Sequence, residues 1–99
     1  MANSSTTIIS EITSHISKNG GRYSDWYAGI AADPRHRLFS DHAVRENGDA
    51  WIFRPCTSSE VARNIENFLL NLGMKGGPGG GDSTTGSVYA YKIASHTIE

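Results

Sequence analysis

The feature that most constrains this 99-residue chain is a cluster of glycines near its C-terminal end. Six of the eleven glycines lie between Gly73 and Gly81, around one proline. Glycine weakens helices and strands, and proline removes a backbone donor, so regular structure is not expected to continue through this segment. The cluster therefore separates a longer N-terminal part from one final apolar segment, 87–93, which must return to the same small core.

Length and charge limit the classes of protein open to this chain. Its 99 residues suit one domain, and nine basic against ten acidic side chains give a net charge of −1. The sequence contains neither an apolar run long enough to span a bilayer nor a basic, apolar leader. The single cysteine, Cys56, excludes an internal disulfide and a cysteine-rich zinc site. We therefore expect a soluble, cytoplasmic domain in a reducing compartment, without a membrane partner.

Hydrophobic periodicity and end signals predict three helices and three strands in one domain spanning 1–99. Isoleucines at helical spacing predict a first helix over 5–19, and Asp33-Pro34 opens a second helix that ends near Val44. A capping box that starts at Thr57 opens the third helix. Its predicted apolar stripe consists of Val61, Ile65, Phe68, Leu69 and Leu72. The strands are expected over 23–31, 50–56 and 87–93, with a core over 22–72 and a glycine-rich loop over 73–86.

The most informative stretch runs from Trp26 to His42, WYAGIAADPRHRLFSDH. Tyr27 and Gly29 lie on the first predicted strand, and Arg37 follows Tyr27 by ten residues on the next helix. Glu66 lies on the third helix, four residues after Ala62. This order and spacing, over roughly Trp26 to Leu70, resembles the second half of the signature of the GIY-YIG nucleases. The resemblance implies an α/β (α+β) fold with a small three-stranded, mostly antiparallel sheet flanked by helices.

The resemblance also implies roles for individual residues in phosphodiester hydrolysis. Tyr27 would position or deprotonate a water, Arg37 would bind phosphate, and Glu66 would hold one Mg²⁺ or Mn²⁺. His42 joins the candidate catalytic residues, and Arg35 joins the candidate phosphate ligands. Considered one at a time, these residues have simpler interpretations. Tyr27 would be a packing aromatic, and Arg35 and Arg37 would belong to a solvated, charged helix face. His42 would fill the inner face of its helix, and Glu66 would be an exposed helix residue.

The first half of the family signature, a Gly-Ile-Tyr strand, is absent upstream of Tyr27. The last predicted strand, with Tyr89 and Tyr91, has the composition to replace it. We therefore predict a permuted arrangement, in which the final strand lies beside the Tyr27 strand and Tyr89 or Tyr91 takes the place of the missing tyrosine.

The glycine cluster itself is not a Walker A loop. Gly76 and Gly81 have the right spacing, but Asp82 replaces the lysine, and the loop lies between a helix and a strand in the wrong order. Two interpretations stay open. The loop is a plain connector, or it binds a ligand through backbone amides near Lys75. The candidate amides are those of Gly77, Gly79 and Gly80.

Two main functions follow from these patterns. The first is binding or hydrolysis of nucleic-acid phosphodiesters with one divalent cation, as a small nuclease. The second is a non-catalytic module that holds a nucleotide or another phosphorylated small molecule; a third is an inhibitor that acts through its protein surface. With no separate targeting domain, sequence preference would need a partner or a homo-oligomer. A compact chain of this kind would suit a phage or a mobile element.

Overall fold

The first helix forms where the isoleucine spacing predicts it. In a computed structural model that describes residues 5–76 and 86–99, helix α1 spans Ser5–Asn19. Ile8, Ile12 and Ile16 are its buried residues, on one face at a helical period. Gly20 follows with a φ of +82°, and its amide donates to the Ile16 carbonyl at 2.9 Å, which ends the helix.

Three strands form one antiparallel sheet in the order β1–β3–β2. Strand β1 is Trp26–Ala31, β2 is Trp51–Pro55 and β3 is Ser87–Lys92. The predicted fold class is confirmed. The expected pairing of the final strand with the Tyr27 strand is confirmed too, and β3 is in fact the central strand. The first strand starts later than predicted, because 23–25 form a 3₁₀ turn in which the Asp25 carboxylate accepts from the Arg22 amide.

Two long helices cover one face of the sheet, and the segment after β1 covers the other. Helix α1 and helix α3 (Ser59–Asn71) pack their buried side chains with Trp26, Ala28 and Ile30 of β1. On the opposite face, Tyr27 packs with residues of the segment after β1, including Leu38 and Val44. All six residues of β1 are therefore buried, whereas the sequence predicted a single apolar face.

The second and third helices differ from the predicted ones in detail. Helix α2 is a single turn, Pro34–His36, that continues as a π-helical segment, Arg37–Asp41, and ends before Val44. Helix α3 is capped by Ser58, whose hydroxyl accepts from the Val61 amide at 3.2 Å, and not by Thr57. Within residues 5–76 and 86–99, no helix combines the length and the apolarity that crossing a membrane requires.

The inner face of α3 is rotated from the predicted stripe. Its buried residues are Ala62, Ile65, Glu66 and Leu69, which recur three and four apart. Phe68 is 46% exposed although the apolar spacing placed it in the core, and Glu66 is only 6% exposed. The packing of α3 against β1 and β3 determines which of its residues face inward. As a result Glu66 is buried and Phe68 is not.

Candidate functional site

The pairing of β1 with β3 brings three tyrosines to one face of the sheet. Tyr27 lies opposite Tyr91 and Gly29 lies opposite Tyr89. The Tyr27 and Tyr91 rings stack at 5.2 Å between centroids. A Cβ on Gly29 would overlap the Tyr89 hydroxyl and lie 2.5 Å from its Cζ, so glycine is required for Tyr89 to lie across β1. The site is therefore built around Tyr89, the residue that the permuted arrangement predicted as an alternative to Tyr91.

The segment after β1 delivers Arg37 and His42 to this face. The Asp33 side chain accepts from the His36 amide at 3.1 Å, with Pro34 at the first helical position, as predicted. The chain then widens into the π-helical turn, in which the His42 amide donates to the Arg37 carbonyl at 2.9 Å. Single π-helical turns occur frequently at functional sites.

His42 forms a defined hydrogen-bonded chain with Tyr89. Its Nδ1 lies 2.6 Å from the Ile98 carbonyl oxygen and its Nε2 lies 2.7 Å from the Tyr89 hydroxyl. A carbonyl oxygen only accepts, so Nδ1 carries the proton and the neutral ring offers its Nε2 lone pair to Tyr89. Burial lowers the pKa of His42, and this lowered pKa keeps the ring neutral. The hydrogen bond to Ile98 opposes the shift but is the smaller effect. The Tyr89 hydroxyl therefore donates to a neutral base.

Arg37 lies near the same hydroxyl. Its interaction with Tyr89 raises the pKa of the Arg37 guanidinium. Burial raises the pKa of Tyr89 to about 12, although the Arg37 contact opposes the shift, so the phenol is protonated at neutral pH. The Arg37 side chain remains 46% exposed and pairs with Asp41 at 3.5 Å. Three groups are therefore neighbours: the accessible Arg37 guanidinium, the neutral Tyr89 phenol and the neutral His42 imidazole. We call them the Arg37–Tyr89–His42 line.

Glu66 is the one predicted metal ligand, and it lies close enough to Tyr89 for its charge to help raise the pKa of that phenol. Burial also raises the pKa of Glu66 itself, while the charge of Arg63 opposes the shift. Across the described ranges 5–76 and 86–99, no group of three or more His, Cys, Asp or Glu side chains could hold a metal ion. Mg²⁺ usually keeps several waters, so one protein carboxylate can hold it, and Glu66 would be that ligand.

The start of the glycine segment runs along the outer edge of β1. The Lys75 amide donates to the Trp26 carbonyl at 2.9 Å, and its carbonyl accepts from the Ala28 amide at 2.8 Å, on either side of Tyr27. The Lys75 side chain is exposed. Lys75 thus pairs with the edge of β1 where the glycine segment begins. The predicted ligand amides of Gly77, Gly79 and Gly80 lie outside the described residues.

Arg35, predicted as a phosphate ligand, has a different environment from Arg37. It forms an ion pair with Glu46 at 2.8 Å, and its guanidinium lies 5.1 Å from the centroid of the Phe39 ring. The structure therefore groups Tyr27, Arg37, His42 and Tyr89 on one face of the sheet. Glu66 lies on α3, which packs on the opposite face, and Arg35 lies beside an aromatic side chain outside the group.

The segment after β3 contributes to the site in a way that the sequence analysis missed. The Ile98 amide donates to the His42 carbonyl at 2.8 Å, and the Tyr91 hydroxyl donates to the Ile98 carbonyl at 3.2 Å. His96 pairs with Asp49 and holds the same segment against the turn before β2. A backbone carbonyl leaves no signal in a sequence, so the role of Ile98 could not be predicted. Asp49 and His96 have polar side chains, and the sequence allowed them to be considered as a pair.

The chain was compared with protein-family models, with curated proteins and with solved structures. No family model, no curated protein and no solved structure matches it. The interpretation of the site therefore depends on its own geometry.

Proposed function

We propose that this protein hydrolyses phosphodiester bonds in nucleic acid, with one divalent cation held at Glu66. The observation that supports this most is the hydrogen bond between Tyr89 and His42, with Arg37 near the same tyrosine. The buried carboxylate of Glu66 is close enough to Tyr89 to help raise its pKa. Each part meets one need of phosphoryl transfer: a clamp for phosphate oxygens, a path for the proton of the attacking water, and a cation ligand. The order of these residues, which resembles a nuclease signature, first suggested their roles.

The proton path follows from the protonation states. Tyr89 is a neutral phenol that donates to His42, so it can pass its proton to Nε2 while it accepts one from a water. The water oxygen forms the new bond to phosphorus, the bond from phosphorus to the leaving sugar oxygen breaks, and that oxygen takes a proton from solvent. The net proton transfer is from water to His42, which the Ile98 carbonyl orients.

The remaining residues position this line and bind the substrate. The exposed guanidinium of Arg37 would bind the non-bridging phosphate oxygens, in a charge-assisted contact. Tyr27 is 7% exposed and its ring lies 4.8 Å from that of His42, so we assign it to holding the imidazole. The cation at Glu66, when bound, supplies positive charge that stabilises the phosphoryl oxygens in the transition state.

Cleavage of a labelled oligonucleotide in Mg²⁺ tests the proposal, with Glu66→Gln as the variant. Glu60→Gln is the matched control, since Glu60 is an exposed carboxylate on the same helix. We expect EDTA and Glu66→Gln each to lower the rate by about 100-fold or more, the usual cost of removing an electrostatic stabiliser, and Glu60→Gln to leave it unchanged.

Equal rates for Glu66→Gln and wild type would contradict the proposal. Oligonucleotide or nucleotide binding without any cleavage would instead identify the chain as a non-catalytic binding module.

A further inference from the structure

A strip of aromatic side chains lies beside the candidate site, on the same face of the sheet. Phe53 of β2 is opposite Tyr89, and Trp51 is opposite Tyr91. The Phe53 and Trp51 rings are nearly parallel, 9° apart with centroids at 6.0 Å, and the Phe39 ring meets Trp51 edge-on at 5.0 Å. We call these three residues the aromatic strip. All three residues are half-buried, so they pack against the core and keep some accessible surface.

The position of the strip relates it to the phosphate clamp. Cross-strand partners on antiparallel strands lie about 4.5–5.5 Å apart at their Cα atoms, so Phe53 is the immediate neighbour of Tyr89. Arg37, in the segment after β1, lies close enough to the Tyr89 hydroxyl to affect its pKa. The strand β2 is an outer strand of the sheet. Because the Tyr89 ring lies across β1, away from β2, Tyr89 separates the strip from Arg37, and a strand bound at Arg37 would reach the strip across it.

Charge at the strip points to the same kind of ligand. The Arg35 guanidinium lies over the Phe39 ring at one end, and Arg37 lies by Tyr89 at the other. Both arginines also pair with carboxylates, Arg35 with Glu46 and Arg37 with Asp41, and both remain exposed. Aromatic rings between two exposed arginines match a ligand that alternates flat rings with phosphates. Nucleotides have this chemistry, and base stacking on aromatic side chains is tolerant of sequence.

We propose that the aromatic strip stacks unpaired nucleobases of a strand whose phosphate is held at Arg37. This inference rests on the proposed function and narrows its substrate class to single-stranded nucleic acid or an unpaired region. The faces of bases within a duplex are already stacked, whereas a single strand can offer them to side chains. A free nucleotide shares this chemistry, and the experiment below separates the two sources.

The strip carries its own optical probe. The chain has two tryptophans, and Trp26 is fully buried, so a fluorescence change on ligand addition reports on Trp51. The ligands are an oligothymidylate, an abasic oligonucleotide of equal length and thymidine monophosphate, all added in EDTA to prevent hydrolysis. Anisotropy of a labelled oligothymidylate gives the affinity of each variant.

We expect the oligothymidylate to quench Trp51 and the abasic strand to bind more weakly. Phe53→Leu should lower the affinity about 5- to 150-fold, the effect of losing one stacked base. Phe53→Tyr keeps a ring and should bind like wild type. Phe68→Leu is the matched control, since Phe68 is an exposed phenylalanine on helix α3. Quenching by the monophosphate as strong as that by the oligomer would identify a free nucleotide as the stacked ligand.

Unchanged affinity of Phe53→Leu, or equal binding of abasic and thymidylate strands, would overturn the inference. A separate cleavage assay in Mg²⁺ keeps the two proposals apart. If Phe53→Leu cleaves like wild type, the stacking proposal is wrong and the proposed hydrolysis stands. If binding depends on bases but no cleavage occurs, the proposed hydrolysis is wrong and the stacking proposal stands.

Discussion

Replacing Gly29 by alanine is a sharp test of how the site is assembled. The three atoms that a Cβ at this position would meet within 3 Å all belong to Tyr89, and the Cζ is at 2.5 Å. Tyr89 is 1% exposed and its hydroxyl is held by His42, so the ring cannot move aside freely. Either the β1–β3 pair opens locally or the ring leaves its hydrogen bond.

The magnitude follows from these two effects. Overpacking of a core costs about 1–3 kcal/mol, and loss of the buried hydrogen bond adds roughly 1 kcal/mol. We therefore expect Gly29→Ala to lower the free energy of unfolding by about 2–4 kcal/mol, a large part of the roughly 5–15 kcal/mol typical of a domain. Urea denaturation at pH 7 measures the change.

A double-mutant cycle with Tyr89→Leu shows whether Tyr89 is the cause. Leucine is too short to occupy the positions of the Tyr89 hydroxyl and Cζ. In that background Gly29→Ala should be neutral or stabilise by up to about 1 kcal/mol, because alanine restricts the unfolded chain. An equal loss of stability in both backgrounds would refute the reasoning.

Three further predictions concern protonation and the segment after β3. Burial lowers the pKa of His42 from 6.5, so the stability that its neutral form provides is complete above that pH and declines as the pH falls below it. Urea melts of wild type should show this decline, His42→Gln should reduce it, and a profile that the variant leaves unchanged would contradict the assignment. Burial raises the pKa of Glu66, so its ionised form costs stability. In EDTA at pH 7, Glu66→Gln should therefore have a higher melting temperature than wild type. The difference between the two melting temperatures should disappear as the pH falls towards 4.5. A lower melting temperature for that variant would be the opposite result. A chain that ends at Ala94 lacks the Ile98 carbonyl, so the ¹⁵N spectrum of the His42 ring should change from one Nδ1–H tautomer to a mixture, whereas an unchanged spectrum would show that the segment does not fix the ring.

Local signals in the sequence predicted much of this fold. The isoleucine period marks α1, Asp33-Pro34 marks the turn of helix after β1, and Gly73, with a φ of +110°, ends the third helix. The pairing of the final strand with β1 was also predicted, because the resemblance implies a strand that the segment after the glycines has the composition to supply.

The parts that sequence could not predict depend on contacts between distant residues. His42 and Ile98 are 56 positions apart, and the partner in their bond is a backbone carbonyl that every residue carries. The burial of Glu66 and the exposure of Phe68 depend on which face of α3 meets the sheet, and helical period alone allows both. A π-helical turn has no spacing signal of its own, so the segment after Pro34 was predicted as an ordinary helix.

The central claim is that a divalent cation and the Arg37–Tyr89–His42 line share one site. Line broadening by substoichiometric Mn²⁺ in ¹⁵N spectra tests it most directly, since paramagnetic broadening depends on distance from the ion. The amides of Glu66 and Tyr89 should broaden first in wild type, and both should stay sharp in Glu66→Gln. Broadening centred on other carboxylates such as Asp41 or Glu46, and unaffected by Glu66→Gln, would contradict the claim.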